Sequence, residues 1–247
     1  MKDYCIVFGA SGVLGSEICK LLANAKIPVV GVYYKNKNAA QHLKLSGKNK
    51  IICCDVTNDE ELKKLVIKLD PKISLDSIVI SIGAWPEYIS ENENHTINNS
   101  IEKIDCYDYA QMFELNTYAI LKICKNLVPL LKKNKKAGNI IIIGSLNGHK
   151  LIPSPVHFAG SKSALKGVTE SLAKELGKYN ICVNLICPGI LESPHLKIID
   201  KDLRDSYLKH TAYGRFGKPE EIAEVVNWFV EGNTYISGQS IILDGGL

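Results

Sequence analysis

Seven short apolar runs, separated by stretches of helical character, constrain the fold of this chain more than any other feature. Each run places Ile, Val, Leu or Cys at consecutive positions, which predicts strands buried on both faces. Strands of this kind that alternate with helices are typical of a parallel sheet covered on both sides. The predicted strands are YCIVFGA, PVVGVYY, NKIICCDV, DSIVISIG, NIIIIGS, ICVNLICPG and SIILDGG.

Helices are predicted between these strands, at residues 11–25, 108–132, 158–176 and 219–230. The sequence therefore predicts an α/β fold, a doubly wound parallel sheet with helices on both faces. The 247 residues, 46% of them hydrophobic, suffice to bury one substantial core. No linker or internal repeat interrupts the pattern, so a single domain over residues 1–247 is expected.

Charge and composition argue against nucleic acid and membranes as partners. The formal net charge is only +4, and the densest basic stretch, KKNKK at residues 132–136, is typical of a solvated loop. No apolar stretch reaches 18 residues and no cleavable signal precedes the first strand, so a cytoplasmic protein is expected. The eight cysteines and six histidines lack the spacing of disulfide frameworks or metal sites, which predicts reduced thiols and no metal.

A glycine-rich loop, GASGVLG at residues 9–15, follows the first strand and opens the first helix. Gly9 permits a tight turn, and Gly12 and Gly15 let the backbone approach a pyrophosphate at the positive end of the helix dipole. This strand, loop and helix context predicts dinucleotide binding. The contacts expected here are Gly9, Ser11, Gly12, Val13, Leu14 and Gly15.

Together with this loop, motifs farther along resemble the short-chain dehydrogenase/reductase family nearly end to end. They are Asn116 in MFELNTYAI, Ser145 in NIIIIGS, Lys162 in HFAGSKSALKG, Pro188 and Gly189 in VNLICPGIL, and the ending YISGQSIILDGGL. The family signature is a Ser followed by Tyr-x-x-x-Lys. The resemblance implies a Rossmann-type fold, a nicotinamide cofactor and ketone–alcohol interconversion by hydride transfer on a small molecule. It also implies a homotetramer or homodimer built through the two long helices.

The resemblance further implies parts for individual residues. In the family the Tyr supplies a proton, and the Lys lowers the pKa of that Tyr and binds the nicotinamide ribose. The Ser polarises the carbonyl group, and an Asn helps to hold a water chain. Lys162, Ser145 and Asn116 match three of these positions. Phe158 occupies the fourth, that of the Tyr, and has no hydroxyl group.

Phe158 leaves three interpretations open. The chain is a reductase in which a Tyr→Phe exchange was introduced to trap a complex, or a natural enzyme with another proton source, or a pseudoenzyme that binds a nucleotide as a regulatory or structural partner. The other proton sources considered are water, His157, Tyr207 and Tyr213. His157 is a poor donor because adjacent helical residues point about 100° apart. Loss of a general acid should lower the rate by ~10²–10⁴.

Cofactor choice is read at the end of the second strand, where a carboxylate would bind the ribose and repel a 2′-phosphate. The chain reads VVGVYYKNKN there, and Tyr34 and Lys35 without an acid favour NADP, with NAD also compatible. Asp55 matches the family's acid beside the adenine, and its alternative role is to cap a turn. The resemblance places the remaining cofactor contacts at Val56, Ser81, Gly83, Lys162, Pro188, Gly189, Leu191 and Ser193.

Two further segments bear on the substrate. The fourth strand ends in ISIG where the family usually has Asn-Asn-Ala-Gly, so altered packing near the nicotinamide is expected. Residues 85–103 are polar and long, which predicts a mobile loop that contributes to a lid. The segment after Gly189 corresponds to the family's variable substrate loop, and its mixture of apolar and basic residues suits an acyl chain, a sugar-like ligand or an acidic group.

Overall fold

One parallel sheet of seven strands forms the centre of the protein in its computed structural model. The structure describes residues 3–43, 45, 47–69, 74–84, 101–134, 136–197, 199 and 201–247. The strands are β1 (Tyr4–Phe8), β2 (Val29–Tyr33), β3 (Lys50–Cys53), β4 (Leu75–Ile80), β5 (Gly138–Ile143), β6 (Ile181–Pro188) and β7 (Ser240–Leu243). Their order across the sheet is β3-β2-β1-β4-β5-β6-β7, and each neighbouring pair is parallel.

Helices cover both faces of the sheet, which confirms the predicted fold class. They are α1 (Val13–Asn24), α2 (Lys37–His42), α3 (Asp59–Lys68), α4 (Cys106–Phe113), α5 (Ala119–Leu131), α6 (Val156–Leu176), α7 (Lys201–His210) and α8 (Pro219–Gly232). The sequence prediction omitted α2, α3 and α7. The predicted stretch at 108–132 is helical up to Leu131, and it consists of α4, a π-helical segment at Glu114–Tyr118 and α5 in direct succession. In the part of the chain that is described, no helix is long and apolar enough to cross a membrane.

Two apolar cores, one on each face of the sheet, follow from the alternation of side chains along every strand. On β1, Ile6 and Phe8 pack in the core that includes α3, α5 and α6 residues. Cys5 and Val7 pack in the core that includes α1 and α8 residues. All four side chains are fully buried, and burial of a large apolar side chain is worth roughly 1.5–3 kcal/mol. This burial on both faces explains why the strands consist of consecutive apolar residues.

The strand order reverses at β1, since β2 and β3 lie on one side of it and β4 to β7 on the other. The chain segments that follow β1 and β4 leave the same edge of the sheet, where such folds open a crevice. Gly9 shows how closely they approach. Its φ is +81°, and a Cβ there would lie 2.1 Å from the carbonyl oxygen of Ser81. Glycine is therefore required at the bottom of this crevice.

Candidate active site

The glycine turn presents the N-terminus of α1 to the crevice. Gly12 is the exposed N-cap of α1 and has no side chain to cap the helix. Among the described residues, no acceptor pairs with the N–H groups of Val13 and Leu14, which lie at the positive end of the helix dipole. Gly15 packs directly against the start of the turn, where only glycine fits, because a Cβ there would lie 2.1 Å from the carbonyl oxygen of Gly9. Ser11, Val13 and Leu14 are all half-buried around the turn.

Asn116 ties the chain after β4 to α6. It lies in the π-helical segment and is fully buried. Its Oδ1 accepts the N–H of Ala84 at 2.9 Å, and its Nδ2 donates to the carbonyl oxygen of Ala84 at 3.2 Å. The Nδ2 atom also donates to Oγ of Ser161 on α6 at 3.0 Å. The side-chain amide of Asn116 is therefore hydrogen-bonded to other protein groups. These bonds hold the end of β4 against α6.

Lys162 extends from α6 to the same place. Its side chain is only 7% exposed. A Cβ added to Gly83 would lie 2.7 Å from Nζ of Lys162 and 3.2 Å from Oδ1 of Asn116, so the ammonium group lies against the chain after β4. Within the described residues the ammonium group has no hydrogen bond or ion pair. Burial lowers the pKa of Lys162 to about 8, and Cys187 acts in the opposite direction.

Phe158 lies one helical turn before Lys162 and is also 7% exposed. Residues four apart share a helix face, and side chains on a helix lean toward its N-terminus. The Lys162 side chain therefore leans back toward the turn that carries Phe158. Phe158 and Lys162 thus lie one turn apart on α6, as their spacing predicts. Phe158 has a hydrocarbon ring at the position that carries a phenol in the signature Tyr-x-x-x-Lys.

Ser145 follows β5 at the same edge of the sheet. Its hydroxyl group donates to Oδ1 of Asn147 at 2.9 Å. Asn147 is buried, and its Nδ2 donates in turn to Oγ of Ser154 at 2.7 Å. Sequence reasoning missed Asn147, although an amide two residues from a Ser is a spacing at which local hydrogen bonds form. The Ser145 hydroxyl is thus oriented by a neighbour on its own loop.

Cys187, at the penultimate position of β6, is a second residue that sequence reasoning did not place in the site. Its thiol is fully buried and accepts the backbone N–H of Ser145. Burial raises the pKa of this thiol to about 11, against the opposing effects of that hydrogen bond and of the Lys162 charge. The parallel register of β5 and β6 brings the two together, because Ile143 lies opposite Ile186.

Tyr34, Lys35 and Asp55 lie at the ends of β2 and β3, on the other side of β1 from Lys162. The hydroxyl group of Tyr34 bonds to Asp55, and the negative charge of Asp55 raises the pKa of this tyrosine. Asp55 also accepts from the N–H and Oγ1 of Thr57, at 2.9 and 2.7 Å. Val56 is buried, whereas Lys35 is exposed. Asp55 therefore caps its own turn, as the alternative interpretation had it, while its carboxylate stays beside Tyr34.

Tyr207 fastens α7 to the segment after β6. Gly189 leaves room for it, since a Cβ there would lie 2.2 Å from the Tyr207 hydroxyl oxygen. That oxygen accepts the N–H of Ile190 at 3.2 Å and donates to the carbonyl oxygen of Asp244 at 3.3 Å. Because its hydroxyl group makes both bonds inside the protein, Tyr207 has a structural role. Tyr213, the other tyrosine considered as a proton source, is 72% exposed. The other predicted contacts on this segment are Pro188, which ends β6, and Leu191 and Ser193, both half-buried.

Two predicted segments fall wholly or partly outside the described residues. Of the predicted lid at 85–103, only the short 3₁₀ helix Ile101–Lys103 is described. Within the predicted substrate loop, Ile198 and Asp200 lie outside the described residues, whereas Pro194–Lys197 forms a 3₁₀ helix and Lys201–His210 forms α7.

Comparison with known proteins decides the family. The sequence model described as enoyl-(acyl carrier protein) reductase matches residues 9–247. The chain belongs to the short-chain dehydrogenase/reductase family.

Relatives of this short-chain dehydrogenase/reductase span its whole length. The 3-oxoacyl-(acyl-carrier-protein) reductase FabG of Thermotoga maritima is 27% identical, over 98% of this chain and 96% of its own. Carbonyl reductase family member 4 of Xenopus laevis is 30% identical, over 100% of this chain and 98% of its own. A crystal structure of a dehydrogenase/reductase from Sinorhizobium meliloti superposes with a TM-score of 0.86 at 26% identity, covering 99% of this chain and 94% of that one.

The nicotinamide dinucleotide that this family binds fits the residues of the crevice. The uncapped N–H groups at the start of α1 offer donors for a pyrophosphate. The buried ammonium group of Lys162, without a partner among the described residues, offers donors for the hydroxyl groups of a ribose. Gly83 leaves the approach to that ammonium group open, since any larger side chain would contact Nζ.

Proposed function

We propose that this short-chain dehydrogenase/reductase is an NADP-dependent reductase of a small carbonyl compound. The observation that carries the proposal is the buried ammonium group of Lys162, which has no partner within the described residues and lies at the sheet edge where the glycine turn and Ser145 also lie. A structural lysine at this depth would be expected to have a carboxylate partner. Among the described residues none is present, which is the arrangement expected when the partner is a ligand.

The residues of the crevice have distinct parts in this proposal. The start of α1 holds the pyrophosphate, and Lys162 holds the nicotinamide ribose. The bound cofactor supplies the hydride. The hydroxyl group of Ser145, which donates to Oδ1 of Asn147 in this structure, rotates when the substrate binds and donates instead to the carbonyl oxygen as negative charge develops on it. Asn116 keeps the chain after β4 in register with Lys162 through its bonds to Ala84 and Ser161.

NADP is favoured over NAD by the groups at the end of β2. The strand ends at Tyr33 and is followed by Tyr34 and Lys35, with no carboxylate in the segment. Lys35 is exposed and has no ion pair within the described residues. An ammonium group there attracts a 2′-phosphate, and the segment after β2 carries no acid of its own that would repel one.

A tyrosine at position 158 tests the proposal. NADPH oxidation is followed for the protein and for Phe158→Tyr against ketones, keto-acyl thioesters and keto-sugars, with Phe158→Leu as the apolar control. We expect Phe158→Tyr to raise the rate by ~10² or more, because a phenol next to Lys162 supplies a general acid. Phe158→Leu should gain nothing. NADPH affinity should stay within a few fold in all three.

The missing phenol also supports a second candidate, a nucleotide-binding protein without turnover that acts through a partner. The same experiment separates the two. Saturable NADPH binding with no oxidation by either the protein or Phe158→Tyr, on every substrate, would favour the second candidate. Absence of saturable NADPH binding would contradict both.

We also propose that the protein forms a homodimer or homotetramer in the cytoplasm. Large apolar side chains are exposed along α4 and its continuation, among them Tyr107 at 65%, Tyr118 at 51% and Leu121 at 39%. Tyrosine-rich apolar surface of this kind is typical of interfaces. All eight cysteines are free, which suits a reducing compartment. Light scattering on a sizing column checks the assembly: Tyr118→Arg should lower the mass to that of one chain, and a one-chain mass for the unmodified protein would contradict it.

A further inference from the structure

Reduction of a carbonyl group requires one proton for its oxygen, and Phe158 cannot supply it. The hydride forms the new C–H bond, the π electrons of the carbonyl move to oxygen, and the resulting alkoxide must take a proton from an acid in the site. The inference that follows rests on the proposed function. The proton must come from another group of the crevice that carries a transferable proton.

Most such groups in the described structure are otherwise engaged. The thiol of Cys187 is fully buried beneath the Ser145 backbone, and the hydroxyl group of Tyr207 bonds to Ile190 and Asp244. His157 precedes Phe158 on the helix and points about 100° away from it, and burial lowers the pKa of its imidazole against the opposing charge of Asp108, so its protonated form is disfavoured.

Ser145 and Asn116 are also poor sources. The Ser145 proton points at Oδ1 of Asn147, and an aliphatic hydroxyl group is about as weak an acid as the product alcohol, so its proton transfer to the alkoxide has little driving force. The Asn116 amide bonds to Ala84 and Ser161 and does not ionise.

Of the side chains compared within the described residues, Lys162 is the remaining acid, and its placement suits the task. Its Nζ lies where the chain after β4 leaves the sheet, 2.7 Å from the position of a Cβ on Gly83. Helix geometry predicts that its side chain leans toward the turn that carries Phe158. An ammonium group has three protons, so it can bind a ribose and still donate one.

We propose that Lys162 is the proton donor of this reductase, delivering a proton from Nζ to the carbonyl oxygen as the hydride reaches the carbonyl carbon. The oxygen becomes the hydroxyl group of the product alcohol, and Lys162 is left as a neutral amine. A proton from solvent restores the ammonium group before the next turnover. Electrons and atoms balance with NADPH, one carbonyl compound and one proton consumed, and NADP⁺ and one alcohol formed.

The electrostatics of the site support this role. Burial lowers the pKa of Lys162 to about 8, which is close to neutral pH, the range in which a general acid with such a pKa is efficient. Among the described residues, the groups placed near Lys162 are Gly83 after β4, Asn116 of the π-helical segment and Cys187 of β6. Cys187 is the one titratable group that acts on this pKa within the described residues, and it favours the ammonium form.

The first test replaces Lys162 by Arg, which keeps the charge and the donors but does not release a proton at these pH values. We expect kcat to fall by ~10² or more, with NADPH affinity, measured by fluorescence titration, changed by less than about threefold. Lys166→Arg, on the exposed face of the same helix, is the matched control and should keep full activity. Unchanged kcat in Lys162→Arg would overturn the proposal.

The second test restores the acid chemically. In Lys162→Ala, added methylammonium should raise kcat in a saturable manner, by ~10-fold or more, and amines of different pKa should give a graded response. For the unmodified protein, kcat/KM should fall about tenfold per pH unit above the pKa of Lys162, and ¹³C NMR of labelled lysine gives that pKa independently of turnover. A flat profile across this pKa, or no rescue in a variant that still binds NADPH, would overturn the role of Lys162.

The outcomes also distinguish this proposal from the proposed function. If the protein is inactive while Phe158→Tyr is active, the reductase assignment stands and Lys162 is not a proton donor. If neither turns over any carbonyl compound, the reductase function itself is contradicted and the role of Lys162 with it.

Discussion

Replacing Lys162 by Met should make the cofactor-free protein more stable at neutral pH, although it removes a residue that the site needs. Methionine has nearly the same length and no charge. The reason for the gain is that the folded protein holds an ammonium group that is 7% exposed and has no partner among the described residues. Burial of an unpaired charge opposes folding.

The magnitude follows from the pKa of Lys162. A pKa lowered from 10.5 to about 8 corresponds to a cost of up to ~3 kcal/mol for the charged form in the folded state. Because the folded pKa lies below the unfolded one, this cost is fully present below pH 8 and disappears as the pH rises toward 10.5. We therefore expect the free energy of unfolding of Lys162→Met to exceed that of the unmodified protein by ~1–3 kcal/mol at pH 7, and by little at pH 10.5.

Urea unfolding without cofactor measures this difference, at both pH values. Lys166→Met is the matched control, since Lys166 lies on the same helix with its side chain 54% exposed, and its effect should stay within ~0.5 kcal/mol. Saturating NADPH should reverse the order, because it stabilises the unmodified protein more than the variant. A Lys162→Met protein that is less stable than the unmodified protein at pH 7 would refute the reasoning. So would a gain in the free energy of unfolding that is the same at both pH values.

Three further outcomes are expected. Lys35→Glu should weaken NADPH binding by ~10-fold or more relative to NADH, measured by calorimetry, and an unchanged ratio would show that Lys35 is only a solvated residue. Asp76→Asn should stabilise the protein by ~1–2 kcal/mol at pH 7 and not at pH 4, because burial and the charge of Asp3 raise the pKa of Asp76 to about 6. That penalty grows as the pH rises through this window, so an equal effect at both pH values would contradict it. Gly9→Ala should lower the free energy of unfolding by ~2 kcal/mol or more, since its φ is +81° and Ser81 leaves no room for a Cβ; normal stability of this variant would contradict that packing.

The sheet could be predicted from the sequence because its strands are buried on both faces. Runs such as NIIIIGS do not alternate between apolar and polar residues, so side chains on both faces of the strand must be buried. A sheet covered on both sides buries both faces. The helices were harder. The polar sequence DEELKKLVIK of α3 hides its apolar stripe, although Asn58 caps the helix and three acids follow it in the first turn. The long helical stretch at 108–132 was predicted, but the π-helical segment inside it was not, because such a segment leaves no mark in hydrophobic periodicity.

The site could be located from motifs, but its contacts could not. Spacing along α6 predicts that Phe158 and Lys162 share a face. The proximity of Gly83 and Cys187 to Lys162 depends on how β4 and β6 are arranged in the sheet, which no local pattern contains. Likewise, the sequence gives no sign that the hydroxyl group of Tyr207 is hydrogen-bonded. Only the fold shows its bonds to Ile190 and Asp244.

Transfer of deuterium from NADPH labelled at C4 tests the central claim most directly. The unmodified protein and Phe158→Tyr are incubated with the labelled cofactor and a carbonyl compound, and the product is analysed by mass spectrometry. The account predicts an alcohol that carries one deuterium on the former carbonyl carbon, formed more slowly by the unmodified protein. Saturable binding of the cofactor without any labelled alcohol from either protein would contradict it.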